Sequence, residues 1–125
     1  MARSKCMKTE KIRRLLGLGA RARTVIIGSR ETRAALRRGQ VGLVLMARDG
    51  SPRDRERLLR MAEEEETPAH TLGVESVRLG EWLGRGKVTV IGITDPNLAE
   101  AVHGLVGRTS EEPGPQKGPK KRGGR

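Results

Sequence analysis

Two short, nearly continuous apolar runs, Val41 to Ala47 and Val88 to Ile93, constrain this chain more than any other feature. They are far too short to span a bilayer. Runs of this length, bounded by turn residues, read as strands covered on both faces. Every segment around them carries helical spacing or a second strand signal. Thr9 is placed to cap a first helix with Ile12, Leu15 and Leu16 on one face. Thr24-Val25-Ile26-Ile27 is a short strand, and Gly28-Ser29 opens a helix that ends near Gly39. After the strand at Val41–Ala47, Ser51, Pro52 and Asp54 form a helix start, and that helix continues through Leu58, Met61 and Ala62. Ala69 to Leu72 is a weaker strand. A helix from Ser76 places Leu79, Trp82 and Leu83 on one side, and Val88 to Thr94 is the strongest strand. Asp95-Pro96 starts a last helix carrying Leu98, Val102, Leu105 and Val106. Four strands interleaved with five helices predict an α/β domain with helices on both sheet faces and the two long runs at its centre.

Composition narrows the chemistry. One Cys in 125 residues excludes a disulfide framework and a cysteine-built zinc site. Cys6 has no His or Asp arrangement near it and reads as a free thiol in a frayed terminus. The chain has one Trp and no Phe or Tyr, which argues against sheets that stack bases on aromatic rows. No leader-like apolar segment follows the basic start, so the sequence reads as cytoplasmic. With 26 Lys+Arg against 15 Asp+Glu, the formal charge of +11 favours a polyanionic partner, most often nucleic acid. The excess is uneven. Residues 1–60 hold 17 basic and 5 acidic side chains, residues 61–107 hold 3 and 8, and residues 108–125 hold 6 and 2. Residues 1–7 read as a flexible N-terminus and 8–107 as the domain. The segment 108–125 reads as a disordered basic Pro/Gly-rich tail, either a phosphate-grasping arm or a solubilising extension.

Several motifs fail their context. Gly17-Leu18-Gly19-Ala20-Arg21-Ala22 matches a loose dinucleotide pattern, but it closes a helix and leads into a strand, the reverse of the order phosphate binding needs. Glu63 to Glu66 reads as a solvated helix end, and His70 and His103 lack spaced partners. No triad, phosphate loop or paired-carboxylate site has supporting context, so the chain is expected to be non-enzymatic and to need no cofactor or metal. The informative stretch is Gly28-Ser29-Arg30-Glu31-Thr32-Arg33-Ala34-Ala35-Leu36-Arg37. It follows a strand and opens a helix whose first turn presents free N–H groups and a positive dipole end. Arg30, Arg33 and Arg37 share a stripe at i, i+3 and i+7, suited to phosphate and base edges. Glu31 has two readings: a selective acceptor for base amino and imino groups, or a favourable helix-dipole charge.

Four segments, 15–28, 38–52, 79–84 and 90–95, resemble the bacterial members of the ribosomal L7Ae/L30e family, with element order in register over residues 8–107. That resemblance implies a three-layer α/β/α sandwich with a four-stranded mixed sheet. It also implies binding to RNA, typically kink-turns, which are bent internal loops with tandem sheared G·A pairs. The family's RNA-docking helix begins Gly-Thr-Asn-Glu-x-x-Lys. Here Gly28 and Glu31 match, Ser29 stands for Thr, Arg30 for Asn and Ala34 for Lys, with Arg33 adjacent. A second contact loop, which covers a flipped-out nucleotide, corresponds to Leu72-Gly73-Val74-Glu75 and departs from the usual sequence. The resemblance thus implies an RNA-binding set of Gly28, Ser29, Arg30, Glu31 and Arg33, flanked by Arg37, with Val74 and Glu75 in the second loop. The implied partner is ribosomal RNA or another kink-turn-containing RNA, with the ribosome as a possible assembly, and no membrane or small-molecule substrate. The rival expectations are a ribosome-assembly or protein-interaction factor with only generic RNA affinity, or a relative of RNA-methyltransferase accessory domains.

Overall fold

A computed structural model describes residues 2–109, with side chains over 9–106. The order is α1 (Ala2–Arg21), β1 (Val25–Ile27), α2 (Ser29–Arg37), β2 (Leu43–Met46), α3 (Pro52–Glu64), β3 (Ala69–Thr71), α4 (Ser76–Leu83), β4 (Val90–Ile93) and α5 (Pro96–Thr109). The sheet runs β1-β4-β2-β3. β4 is antiparallel to both neighbours and β2 is parallel to β3, so the sheet is mixed. The two long apolar runs form its central strands, and every residue of β2 and β4 is buried.

Alternation along those strands divides the core. Leu43, Leu45, Ile91 and Ile93 face α1, α4 and α5, packing with Ile12, Leu16, Leu79, Leu83 and Val102. Val44, Met46 and Val90 face α2 and α3, packing with Ala35, Leu36 and Leu58. Side chains two apart share a face, so a continuous apolar run fills both layers. Gly92 lies on the second face, where a Cβ would stand 3.0 Å from the Thr32 methyl. Its missing side chain lets α2 approach the sheet.

One local expectation changes. Thr9 lies within α1 and caps nothing, because the preceding residues are good helix formers with no Gly or Pro to stop them. The segment 17–22 closes α1, which ends at Arg21, and leads into β1 as expected, with Gly17 and Gly19 inside the last turns of the helix. Gly19 serves packing: a Cβ there would come within 2.5 Å of Leu98 and 2.6 Å of Val25. The helix ends in a Schellman closure, with Thr24 N–H donating to Gly19 O at 2.8 Å and Arg23 N–H to Ala20 O at 3.2 Å. The left-handed residue of that closure is Arg23, at φ 62°, where glycine is usual. Leu79 and Leu83 are buried on the packing side of α4 as expected, and Trp82 packs half-buried against the same cluster. The tail expected over 108–125 lies outside the described residues, apart from Arg108 and Thr109 at the end of α5. Among the described residues, no helix is long and apolar enough to cross a membrane.

Candidate nucleic-acid interface

Strand direction gathers the candidate residues. β1, β2 and β3 all leave the sheet at one end, where antiparallel β4 enters. Gly28, the 47–51 loop and the 72–75 loop therefore emerge together, and α2, α3 and α4 all begin there. Three helix N-termini point their positive ends at this surface. With strands about 4.8 Å apart, the exits of β1 and β3 lie about 14 Å from each other, three strand spacings across.

Gly28 sets the α2 tip. Its φ of 116° is accessible to glycine alone without strain. Its N–H donates to Val90 O at 2.9 Å, tying the turn to the start of β4. Glu31 folds back over it, so that a Cβ at position 28 would stand 2.8 Å from the Glu31 carboxylate. Arg30 and Glu31 are exposed on the first turn, and Arg37 is exposed in the last, about 10 Å along the axis.

Arg33 and Ser29 are placed differently from Arg30. Ser29 Oγ donates to Asp54 Oδ1 at 3.1 Å, Arg33 Nη1 donates to Ser29 Oγ at 2.8 Å, and Arg33 Nη1 reaches Asp54 Oδ1 at 3.4 Å. The pair is 23% and 28% exposed. These bonds brace α2 against α3, so Arg33 holds the tip in place as well as carrying charge. Asp54 also keeps the expected cap, its N–H donating to Ser51 Oγ at 3.3 Å. Sequence spacing gave Asp54 only a dipole role; its partnership with Arg33 spans 21 residues and has no local signal.

The second loop is also built by long-range bonds. Arg48 N–H donates to Val74 O at 2.9 Å, and the Arg48 guanidinium pairs with Glu75 at 3.0 Å. Asp49 accepts from Ser76 N–H at 2.8 Å and from Ser76 Oγ at 3.0 Å. The Ser76 N–H bond holds the Asp49 carboxyl below the usual carboxylate range, with help from the Ser76 hydroxyl and the positive charge of Lys87, against a smaller opposing desolvation. Asp49 is thus the true side-chain cap of α4, supplied from another loop; Glu75 at the N-cap position makes no such bond. Val74 is half-buried against the core, while Val77 on the next turn is 55% exposed. Sequence reasoning missed Arg48 and Asp49, and it gave Asp54 and Ser76 only helix-start roles.

The remaining sequence candidates fall elsewhere. Glu63 to Glu66 is exposed at the end of α3, with Glu66 in the left-handed region at φ 55°. His70 on β3 and His103 on α5 are brought together, ring centroids 5.0 Å apart, although nothing in their spacing links them. Among the described residues, no group of three His, Cys, Asp or Glu side chains can hold a metal ion.

The model of the Ribosomal protein L7Ae/L30e/S12e/Gadd45 family matches residues 10–103. A solved protein with unknown function from Bacillus halodurans is 30% identical, covering 78% of this chain and 97% of its own, with a TM-score of 0.74. The Giardia lamblia 15.5kD RNA binding protein shares the fold at 23% identity, with 82% and 87% coverage and a TM-score of 0.70. No curated protein matches the chain. The chain belongs to the Ribosomal protein L7Ae/L30e/S12e/Gadd45 family, a non-enzymatic family of RNA-binding and ribosomal proteins.

Proposed function

We propose that this protein binds structured RNA of the kink-turn type through the end of the sheet where α2, α3 and α4 begin. The observation that carries this reading is the convergence of the Gly28–Glu31 tip and the 72–75 loop on one surface, two contact points about 14 Å apart with strand spacings of about 4.8 Å. A regular A-form helix hides its base edges in a deep, narrow groove, whereas a kinked loop opens them. The α2 tip enters that opening. Backbone N–H groups and the helix dipole meet phosphate there. Arg30 reaches phosphate or a purine edge, and Glu31 accepts from guanine amino and imino groups, which a phosphate cannot offer. Arg33 positions the tip through Asp54. Val74 supplies the apolar cover for an unstacked nucleotide, and the Arg48–Glu75 pair sets that loop's place. In this reading the protein works in the cytoplasm, in association with the ribosome or ribosomal RNA.

The test is a gel-shift titration with a kink-turn RNA. Arg30→Ala should weaken binding about 5–30-fold, from about 1–2 kcal/mol for one charge-assisted contact. Unchanged affinity removes the α2 tip from the interface. The 17 basic side chains of residues 1–60 favour a second reading, generic affinity for any RNA. That reading predicts equal binding to kinked and straight RNA with a steep salt slope.

A further inference from the structure

A groove of about 930 Å³ runs beside β1, between α1 and the C-terminal half of α4, outside the interface above. β1 is an edge strand, so this side of the sheet has no neighbouring strand. The three-residue turn after α1 sends β1 back along that helix. Arg14 thus stands near the α2-tip end of the groove, and Arg21 about 10 Å away at the other end, seven residues along α1. Arg23 and Arg85 complete a basic rim. The single acidic group of the lining, Glu81, already faces Arg78 at 3.7 Å. Trp82, the chain's one tryptophan, lines the groove with Leu18, which is 59% exposed. Arg23, the left-handed residue that closes α1, is fixed by that closure in the lining of the groove. Ile27 lines the groove and Gly28 begins the α2 tip, so the two surfaces are continuous.

We propose that this groove binds a single-stranded RNA segment flanking the kink. Arginines on both walls hold successive phosphates, and Trp82 stacks an unpaired base. The ~10 Å line from Arg14 to Arg21 is long enough to meet more than one phosphate of a single strand. Stacking needs a free base face, which a paired flank lacks. This inference rests on the RNA-binding reading of the α2 tip, and the test separates the two.

The full chain is titrated with a blunt kink-turn RNA and with the same RNA bearing a five-nucleotide single-stranded extension at either end. Wild type should bind one extended form at least tenfold more tightly than the blunt form, with quenching of Trp82 fluorescence by the extended form alone. The triple variant Arg14→Gln, Arg21→Gln, Arg23→Gly should bind both forms as wild type binds the blunt RNA. Its salt slope on the extended RNA should fall by about two, at about 0.7 per phosphate on single strands. Arg23→Gly relieves the left-handed strain, so a cooperative unfolding curve with a midpoint no lower than that of wild type shows that the triple variant is folded. Equal wild-type affinity for blunt and extended RNA overturns the groove assignment, as does a triple variant that keeps the wild-type preference. If an oligoglutamate peptide binds wild type but not the triple variant, while the extension has no effect, the groove belongs to an acidic polypeptide and the proposal fails. Failure of the α2-tip reading looks different: Arg30→Ala would then bind blunt RNA as well as wild type does.

Discussion

The brace between α2 and α3 gives a sharp test of what Arg33 does. Its three bonds join Ser29, Arg33 and Asp54 at 2.8, 3.1 and 3.4 Å. At 3.4 Å and an effective dielectric of about 20, the gross Coulomb attraction is about 5 kcal/mol. Partial exposure, desolvation and side-chain ordering cancel most of that, leaving about 0.5–1.5 kcal/mol for the pair. Arg33→Ala and Asp54→Ala should each destabilise the domain by about 1–1.5 kcal/mol, since each also removes a bond to Ser29. The double variant should cost about 1 kcal/mol less than the sum of the singles. Urea unfolding followed by far-ultraviolet circular dichroism measures all four proteins. Additivity within about 0.3 kcal/mol would refute the brace. RNA binding separates the roles further. Asp54→Ala deletes a negative charge beside an anionic ligand, which by charge alone strengthens binding. If Asp54 holds the tip in place, binding should instead weaken about two- to fivefold. A gain would show that Asp54 restrains an RNA-contacting Arg33.

Three further outcomes follow from the local geometry. Gly28→Ala places a side chain at φ 116° and against the Glu31 carboxylate, and should cost at least about 1–2 kcal/mol of stability in thermal unfolding. Gly19→Ala gains about 1 kcal/mol of helix propensity but drives a methyl into Leu98 and Val25; a net loss of about 1–2 kcal/mol is expected, and a stabilised variant would contradict the packing. The Asp49 carboxyl is depressed in the folded state, so its contribution is present above its unfolded pKa and fades as pH falls through the folded value. The protection of the Ser76 amide, taken relative to its intrinsic exchange rate, should therefore fall in acid below the ordinary carboxylate range, and Asp49→Asn should flatten that dependence.

Most of the fold was legible because the strongest signals are local. The two apolar runs became β2 and β4, and Ser51-Pro52-Asp54 capped α3 as its chemistry requires. What spacing does not carry is tertiary: the 17–22 segment closes α1 as expected, but the contacts of Gly19 with Leu98 and Val25 and the arginine in the closing left-handed position have no local signal. The convergence of α2 and the 72–75 loop could not be read from spacing, because it depends on the strand order β1-β4-β2-β3. Arg33 illustrates the limit within a site: its stripe with Arg30 and Arg37 is real, but its exposure is decided by Asp54, on another helix.

The measurement closest to the central claim compares wild type and Glu31→Ala on a kink-turn RNA and on a straight duplex of equal length, at one fixed salt concentration. Wild type should prefer the kink by at least tenfold. Glu31→Ala should lose most of that preference, chiefly through weaker binding to the kink. Equal affinity of wild type for both RNAs, or a preference that survives Glu31→Ala intact, would contradict the assignment of the α2 tip as the reader of bent RNA.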